Sequence, residues 1–286
     1  MTAGVPFTVK GLLMWVPSLF SSGSAPAGWS RSADTERVVV RRLRAAGCVF
    51  AEDEAQLLIA ASLSSAELVA MVDRRVAGLP LEHVVGWAEF CGLRITVDPG
   101  VFVPRHRTEL LVREATALAP PAATVVDLCC GSGALGAALA SHVDDVELHA
   151  VDIDPAAVRS ALRNVRPFGG QVYEGDLYEP LPETLRGRVD VLLANAPYVP
   201  TEAIRLLPPE ARVHEPRVAL DGGADGLNVL RRVVAEAPGW LVSGGHLLVE
   251  TSRRQASALA GVVAASGLEC RTASDDEATV LVATRR

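Results

Sequence analysis

Lysine is almost absent from this sequence: Lys10 stands alone beside 26 arginines, and together with the alanine richness this bias suggests genomic composition rather than function. Acid outweighs base, with a net charge of −7 and a pI near 5.4. The chain therefore lacks the basic field with which proteins hold duplex nucleic acid through its phosphates. Between Ser30 and His83, seven arginines face eight carboxylates, so the N-terminal region is not basic either, and stable nucleic-acid binding is not expected. Cysteines are few, odd in number and scattered (Cys48, Cys91, Cys129, Cys130, Cys270). That spacing gives no disulfide framework and no metal-ligand set. No apolar run is long enough to cross a bilayer; the one at residues 11–20 is short and broken by Pro17. Internal repeats and coiled-coil heptads are also missing.

What is present is an alternation of short apolar runs with helical patterns. With 286 residues and 49% hydrophobic content, the chain has room for one large domain and a small one. Val125-Val126-Asp127-Leu128 opens into Cys129-Cys130-Gly131-Ser132-Gly133 and then a helical pattern from Ala134 to His142. Glycines at such a strand-to-helix turn let a ligand approach the backbone closely. Gly136 completes a spacing that dinucleotide-binding enzymes also use, so this turn alone leaves both readings open. A second strand ends at Asp152, before Ile153-Asp154-Pro155 and a helix through Asn164, and places a carboxylate for ribose hydroxyls. A third, from Gln171, ends at Asp176 beside Leu177, a pair suited to the amine and the face of adenine. Asp127, Asp152, Asp176 and Asn195 thus terminate four successive strands, and in an open α/β sheet ligands bind at those carboxyl ends.

The fourth terminus is the most specific. Asn195-Ala196-Pro197-Tyr198 follows the run Val189-Asp190-Val191-Leu192-Leu193-Ala194 and sets an amide, carbonyls and an aromatic ring at one strand end. Such a group holds a flat amino nitrogen, in an amide or a nucleobase. The Asn195 oxygen and the Ala196 carbonyl accept its two hydrogens while Tyr198 stacks on the conjugated plane. No hydride-transfer site accompanies it.

With Gly78-Leu79-Pro80-Leu81-Glu82-His83-Val84-Val85-Gly86, Phe90-Cys91-Gly92-Leu93, the run from Phe102 to Glu109, His214-Glu215-Pro216-Arg217-Val218-Ala219-Leu220 and Gly222-Gly223-Ala224-Asp225-Gly226-Leu227, the chain resembles the HemK-like protein N(5)-glutamine methyltransferases from about Arg74 onward. The resemblance implies a class I S-adenosylmethionine-dependent methyltransferase, an α/β fold with a Rossmann-like seven-stranded sheet and a small N-terminal helical domain. It implies methyl transfer to a glutamine side-chain amide in the Gly-Gly-Gln loop of a peptide chain release factor, in the cytoplasm. By the same resemblance, S-adenosylmethionine lies against Cys129, Cys130, Gly131, Ser132 and Gly133, with its ribose on Asp152 near Ile153 and its adenine near Asp176 and Leu177. Asp127 and Asn195 are also expected to bind the cofactor, and Asn195, Ala196, Pro197 and Tyr198 form the catalytic slot facing the methyl group. Phe102 and Thr108 belong to a lid over the channel. Arg105 and Glu109 are expected to form a minor helix-start ion pair.

Ala196 departs from the family, which usually carries a second proline there; the accepting carbonyl is kept and only the fixed φ is lost. The N-terminal region is shorter than the family's helical bundle, with amphipathic segments at residues 35–46, 52–61 and 64–77. Their apolar positions are Val39, Leu43, Leu57, Leu58, Leu68, Val72 and Val76. The expected division is a disordered extension over 1–33, a helical partner-binding domain over 34–83, a hairpin linker and lid over 84–108, and a catalytic domain over 109–286. Residues 199–225 read as a long loop over the substrate site. Two alternatives stay open: methylation of an exocyclic base amine, and a non-catalytic cofactor-binding paralogue.

Overall fold

A computed structural model describes residues 32–286; the expected extension at the N-terminus lies outside the described residues except for its last two positions. Helices α1 (Ala33–Ala45), α2 (Ala51–Ala61), α3 (Ser65–Val76) and α4 (Leu81–Val85) form the small domain. Ser32 and Ser64 cap α1 and α3 by accepting from the N–H groups of Thr35 and Glu67, and Glu67 reaches back to the Leu63 N–H at 2.7 Å. Val39, Leu43, Leu58, Leu68 and Val72 are buried as the pattern predicts, whereas Val76, in the last turn of α3, is exposed. The helical domain does not stop at residue 83: α4 continues to Val85 and ends on Gly86 in the left-handed region.

A hairpin of β1 (Trp87–Phe90) and β2 (Leu93–Thr96) follows. The chain then turns through a 3₁₀ segment, His106–Thr108, into α5 (Glu109–Leu118). The large domain contains strands β3 (Thr124–Leu128), β4 (Glu147–Asp152), β5 (Gln171–Glu174), β6 (Val189–Ala194), β7 (Leu241–Thr251), β8 (Glu269–Ser274) and β9 (Thr279–Thr284). They form one seven-stranded sheet in the order β5-β4-β3-β6-β7-β9-β8. β3 to β7 run parallel, and β9 pairs antiparallel with both β7 and β8, the predicted arrangement of the last two strands. Helices α5, α6 (Ala134–Ala140) and α7 (Pro155–Val165) cover one face, and α9 (Asn228–Trp240) and α10 (Arg253–Ala265) cover the other, giving two apolar cores separated by the sheet. The two innermost parallel strands read as continuous hydrophobic runs because both faces are covered.

The strand order reverses between β3 and β6, so the chain leaves the sheet in opposite directions there and opens a crevice at the carboxyl ends. The segment after Tyr198 is not a plain loop. It folds into a 3₁₀ turn at Thr201–Leu206, the helix α8 (Pro209–His214) and a further turn at Arg217–Ala219. Pro200, Pro208 and Pro216 each cap one of these pieces, and none is long enough to show a helical period in sequence. Among the described residues, no helix is long and apolar enough to cross a membrane.

Candidate active site

The glycine turn after β3 is built from its neighbours. Cys130 N–H donates to the Val151 carbonyl at 3.0 Å and Gly133 N–H to the Cys130 carbonyl at 2.7 Å. Gly133 has φ +75°, and a Cβ there would lie 2.8 Å from Val165 Cγ2 and 3.2 Å from the Ala161 backbone. Only glycine lets the start of α6 sit directly on α7. Asn164 ties this turn to the hairpin: its Nδ2 donates to the Ser132 and Thr96 carbonyls, both at 2.8 Å, and its Oδ1 accepts from Thr96 N–H.

A cavity of about 260 Å³ opens over the turn. Its wall includes Phe102, Thr108, Cys129, Cys130, Gly131, Ser132, Asp152, Ile153, Asp176, Leu177, Asn195 and Pro197. Two residues expected to bind the cofactor are not on this wall. Asp127 lies behind the turn, where its Oδ2 accepts from Gly136 N–H at 3.0 Å, and burial pushes its pKa up to about 7. Gly133 is occupied with helix packing; Ala196 and Tyr198, expected in the catalytic slot, line a neighbouring cavity together with Asn195 and Pro197.

Asp152 accepts from Gly131 N–H at 2.8 Å through one oxygen and from Asp154 N–H at 2.9 Å through the other, so each oxygen keeps a lone pair. Burial raises its pKa. Asp176 is gripped by Arg232 through both oxygens, at 3.1 and 2.8 Å. Arg232 is also on the wall and gave no signal in sequence, because its partner is 56 residues away. The thiols of Cys129 and Cys130 are pushed well up by burial, which keeps them protonated and unreactive. Cys129 and Leu177 both hold positive φ, 54° and 51°, a strained backbone concentrated at this cavity.

The residues fit the nucleoside and sulfonium of S-adenosylmethionine. Thr108 Oγ1 is buried on the wall with no partner among the described residues. Gly131 has only open space where a Cβ would point. Asp152 has acceptor capacity left for hydroxyls.

A second cavity, about 420 Å³, shares Phe102, Asn195, Pro197 and Ala219 with the first. It adds Ala196, Tyr198, Arg105, Arg107, Glu210 and Glu215. Asn195 stands at the junction, and its side-chain amide has no partner among the described residues. Tyr198 is held by its hydroxyl, which donates to Glu250 Oε1 at 2.8 Å and accepts from Arg107 at 3.2 Å. Burial and the Glu250 charge push its pKa up to about 12, so the phenol stays neutral. Arg105 does not pair with Glu109 as expected. It bonds Glu215 at 2.5 Å, while Glu109 takes His106 and the Cys91 N–H, each at 3.1 Å. Glu215 also accepts from Val103 N–H at 3.2 Å, and thereby ties the lid to the segment roofing the cavity.

The small domain reaches the same wall. Arg75, buried between α2 and α3, binds Glu54 through Nε at 2.6 Å and through Nη2 at 3.0 Å, and its Nη1 donates to Glu210 at 2.5 Å. The glycine-rich stretch after the roof closes on the slot from behind. A Cβ on Gly226 would lie 2.2 Å from the Tyr198 carbonyl and 2.3 Å from Gln255 Nε2, which itself donates to that carbonyl.

The family described as Methyltransferase small domain matches residues 92–223. The release factor glutamine methyltransferase of Geobacter sulfurreducens is 42% identical over 208 residues, 72% of each chain. The 4-amino-L-phenylalanine/4-methylamino-L-phenylalanine methyltransferase of Streptomyces pristinaespiralis is 33% identical over 274 residues, 93% of this chain and 90% of that one. Among solved structures, the T. thermophilus 16S rRNA N2 G1207 methyltransferase, in complex with AdoMet and guanosine, is 23% identical with a TM-score of 0.51, covering 70% of this chain and 50% of that one. The fold is that of the class I methyltransferases.

Proposed function

From the premise that this chain belongs to the release factor glutamine methyltransferase family, we propose that it transfers a methyl group from S-adenosylmethionine to the side-chain amide nitrogen of a protein glutamine, the acceptor being the loop glutamine of a peptide chain release factor. The observation that carries this reading is the pair of cavities joined at Asn195: one lined for a nucleoside, the other open to an acceptor, with a free amide between them. When bound, the cofactor supplies an electrophilic methyl on a sulfonium, so no metal and no covalent enzyme intermediate is required.

The chain's own residues supply alignment. Asn195 Oδ1 and the Ala196 carbonyl accept the two hydrogens of the acceptor nitrogen and turn its lone pair toward the first cavity. Ala196 is 1% exposed, so the packing around it takes over part of the restraint a proline would give. Pro197 and Tyr198 shape the slot, and the anchored hydroxyl of Tyr198 fixes its ring. Asp152, Thr108 and the 129–132 turn hold the donor, and apolar Phe102 and Leu177 exclude water. A release-factor substrate and S-adenosylmethionine as donor both support a cytoplasmic location, and the net charge of −7 argues against nucleic acid as acceptor.

A second reading is methylation of the aryl amine of a free amino acid. It is favoured because the phenylalanine-type relative spans more of both chains than the Geobacter relative does. The test is transfer of labelled methyl to purified release factor, to release factor lacking the loop glutamine, and to 4-amino-L-phenylalanine. Labelling that needs both the loop glutamine and Asn195 supports the first reading. Asn195→Ala should bind the cofactor normally and lose about 100-fold or more in turnover; normal turnover would refute its role. Labelling of the small amine alone establishes the second reading.

A further inference from the structure

The lid meets the cofactor cavity through Phe102 and Thr108, whereas Arg107, next to Thr108, lines the acceptor cavity. Arg107 Nε donates to Glu250 Oε1 at 3.2 Å, and its Nη2 donates to the Tyr198 hydroxyl at 3.2 Å. That hydroxyl donates in turn to the same Glu250 oxygen at 2.8 Å. Three side chains thus close a ring, one from the lid, one from the catalytic loop and one from the sheet. Glu250 is the fixed member: it stands opposite Val280 in the pairing of β7 with β9, and its side chain is 1% exposed. Among the described residues its carboxylate has no side-chain donor besides these two, and both fall on one oxygen. Withdrawing Arg107 would leave a buried carboxylate without its counter-charge and the Tyr198 hydroxyl without a donor, so lid and slot are not free to move separately. The Tyr198 carbonyl is held independently by Gln255 Nε2 at 2.9 Å. What the ring of three adds is the direction of the aromatic side chain.

We infer that Arg107 and Glu250 are positioning residues that carry cofactor occupancy to the acceptor slot. Phe102 and Thr108 settle on the bound cofactor, Arg107 moves with them, and Arg107 together with Glu250 turns the Tyr198 ring onto the plane of the acceptor. The slot is then complete only when the methyl donor is in place, which couples the two cavities. Neither residue touches the reacting atoms; both act through Tyr198.

The inference rests on the methyl-transfer reading for its effect on turnover, and the experiment separates the two. The chain has three tyrosines, Tyr173, Tyr178 and Tyr198, so protein grown with 3-fluorotyrosine gives three fluorine resonances, and Tyr198→Phe identifies the one that matters. Saturation with S-adenosylhomocysteine should shift the Tyr198 resonance in the wild type and leave it in place in Arg107→Met. Where the single variant fails to fold because it bares the Glu250 charge, Arg107→Met with Glu250→Gln removes both charges and asks the same question. With the acceptor that the wild type labels, these variants should lose about 10-fold in turnover, most of it in kcat rather than in KM. A Tyr198 resonance that responds to the cofactor as strongly in the variants as in the wild type, or one that is indifferent to it in the wild type, overturns the link. Full turnover in the variants overturns the positioning role while leaving methyl transfer intact. If the wild type labels no acceptor, the methyl-transfer reading fails, and the fluorine comparison still decides whether the lid directs Tyr198.

Discussion

Replacing Arg75 with methionine removes the guanidinium that joins the small domain to the roof of the acceptor cavity, and the structure sets the size of the effect. The Arg75 and Glu54 side chains are 9% and 11% exposed, whereas Glu210 is 47% exposed. The Glu210 arm is a surface-type contact contributing at most about 1 kcal/mol. The Glu54 arm is not: without Arg75, a buried carboxylate is left uncompensated, and the Leu79 carbonyl loses its 3.0 Å donor. Breaking a buried pair from one side costs about 3–5 kcal/mol. Removing both charges with residues of similar volume is often close to neutral, so Arg75→Met with Glu54→Leu should recover most of the loss. Urea denaturation followed by circular dichroism, with hydrogen exchange on α2 and α3, measures both variants. An Arg75→Met variant within about 1 kcal/mol of wild type, or a double variant as unstable as the single one, would refute the reasoning. In the assay of methyl transfer, the double variant should show a raised KM for a protein acceptor with unchanged cofactor affinity, because the contact it loses to the acceptor cavity is the one with Glu210.

Asp127 gives the protein a pH signature. Its folded pKa is raised to about 7 by burial, above the ordinary carboxylate value. The unfolded chain therefore gives up that proton first, and stability falls as pH rises from about 4 to about 7, then levels off. Asp127→Asn should flatten this part of a plot of urea midpoint against pH; an unchanged slope would move the titration elsewhere. Gly226→Ala brings a Cβ within 2.2 Å of the Tyr198 carbonyl, at φ +79°. It should shift the catalytic loop and lower turnover about 100-fold while cofactor affinity holds. Isothermal titration and initial rates read the two effects separately, and unimpaired turnover would show that the loop tolerates the displacement.

What could be read in the sequence was whatever has a short-range signature. β3, β4 and β6 announced themselves as apolar runs, and the glycine turn and the Asn195 tetrapeptide by composition at a strand end. The partners of charged groups were not legible. Arg105 finds Glu215 110 residues away and not Glu109 nearby, Arg75 spans 135 residues to Glu210, and Arg232 reaches 56 back to Asp176. Periodicity reports which face of an element is buried, and nothing in it says which distant side chain arrives there. The segment over the acceptor cavity was foreseen as a loop, and its helices were not, for a different reason. Its helices hold six residues or fewer, too short for a period, and their prolines look like loop punctuation.

The sheet order has a consequence for how the chain is made. β9 (Thr279–Thr284), almost fully buried, lies between β7 and β8 rather than at an edge. While the ribosome extends the chain, β7 has no neighbour on that side, and its apolar row, Leu247 and Val249 among it, stays open until residues 279–284 emerge. The nascent domain must wait for its last strand with a sticky edge exposed, a target for chaperones. Once β9 docks, the outermost strand on that side is β8, largely solvent-exposed and carrying Glu269 and Arg271, an edge poorly suited to recruit another sheet.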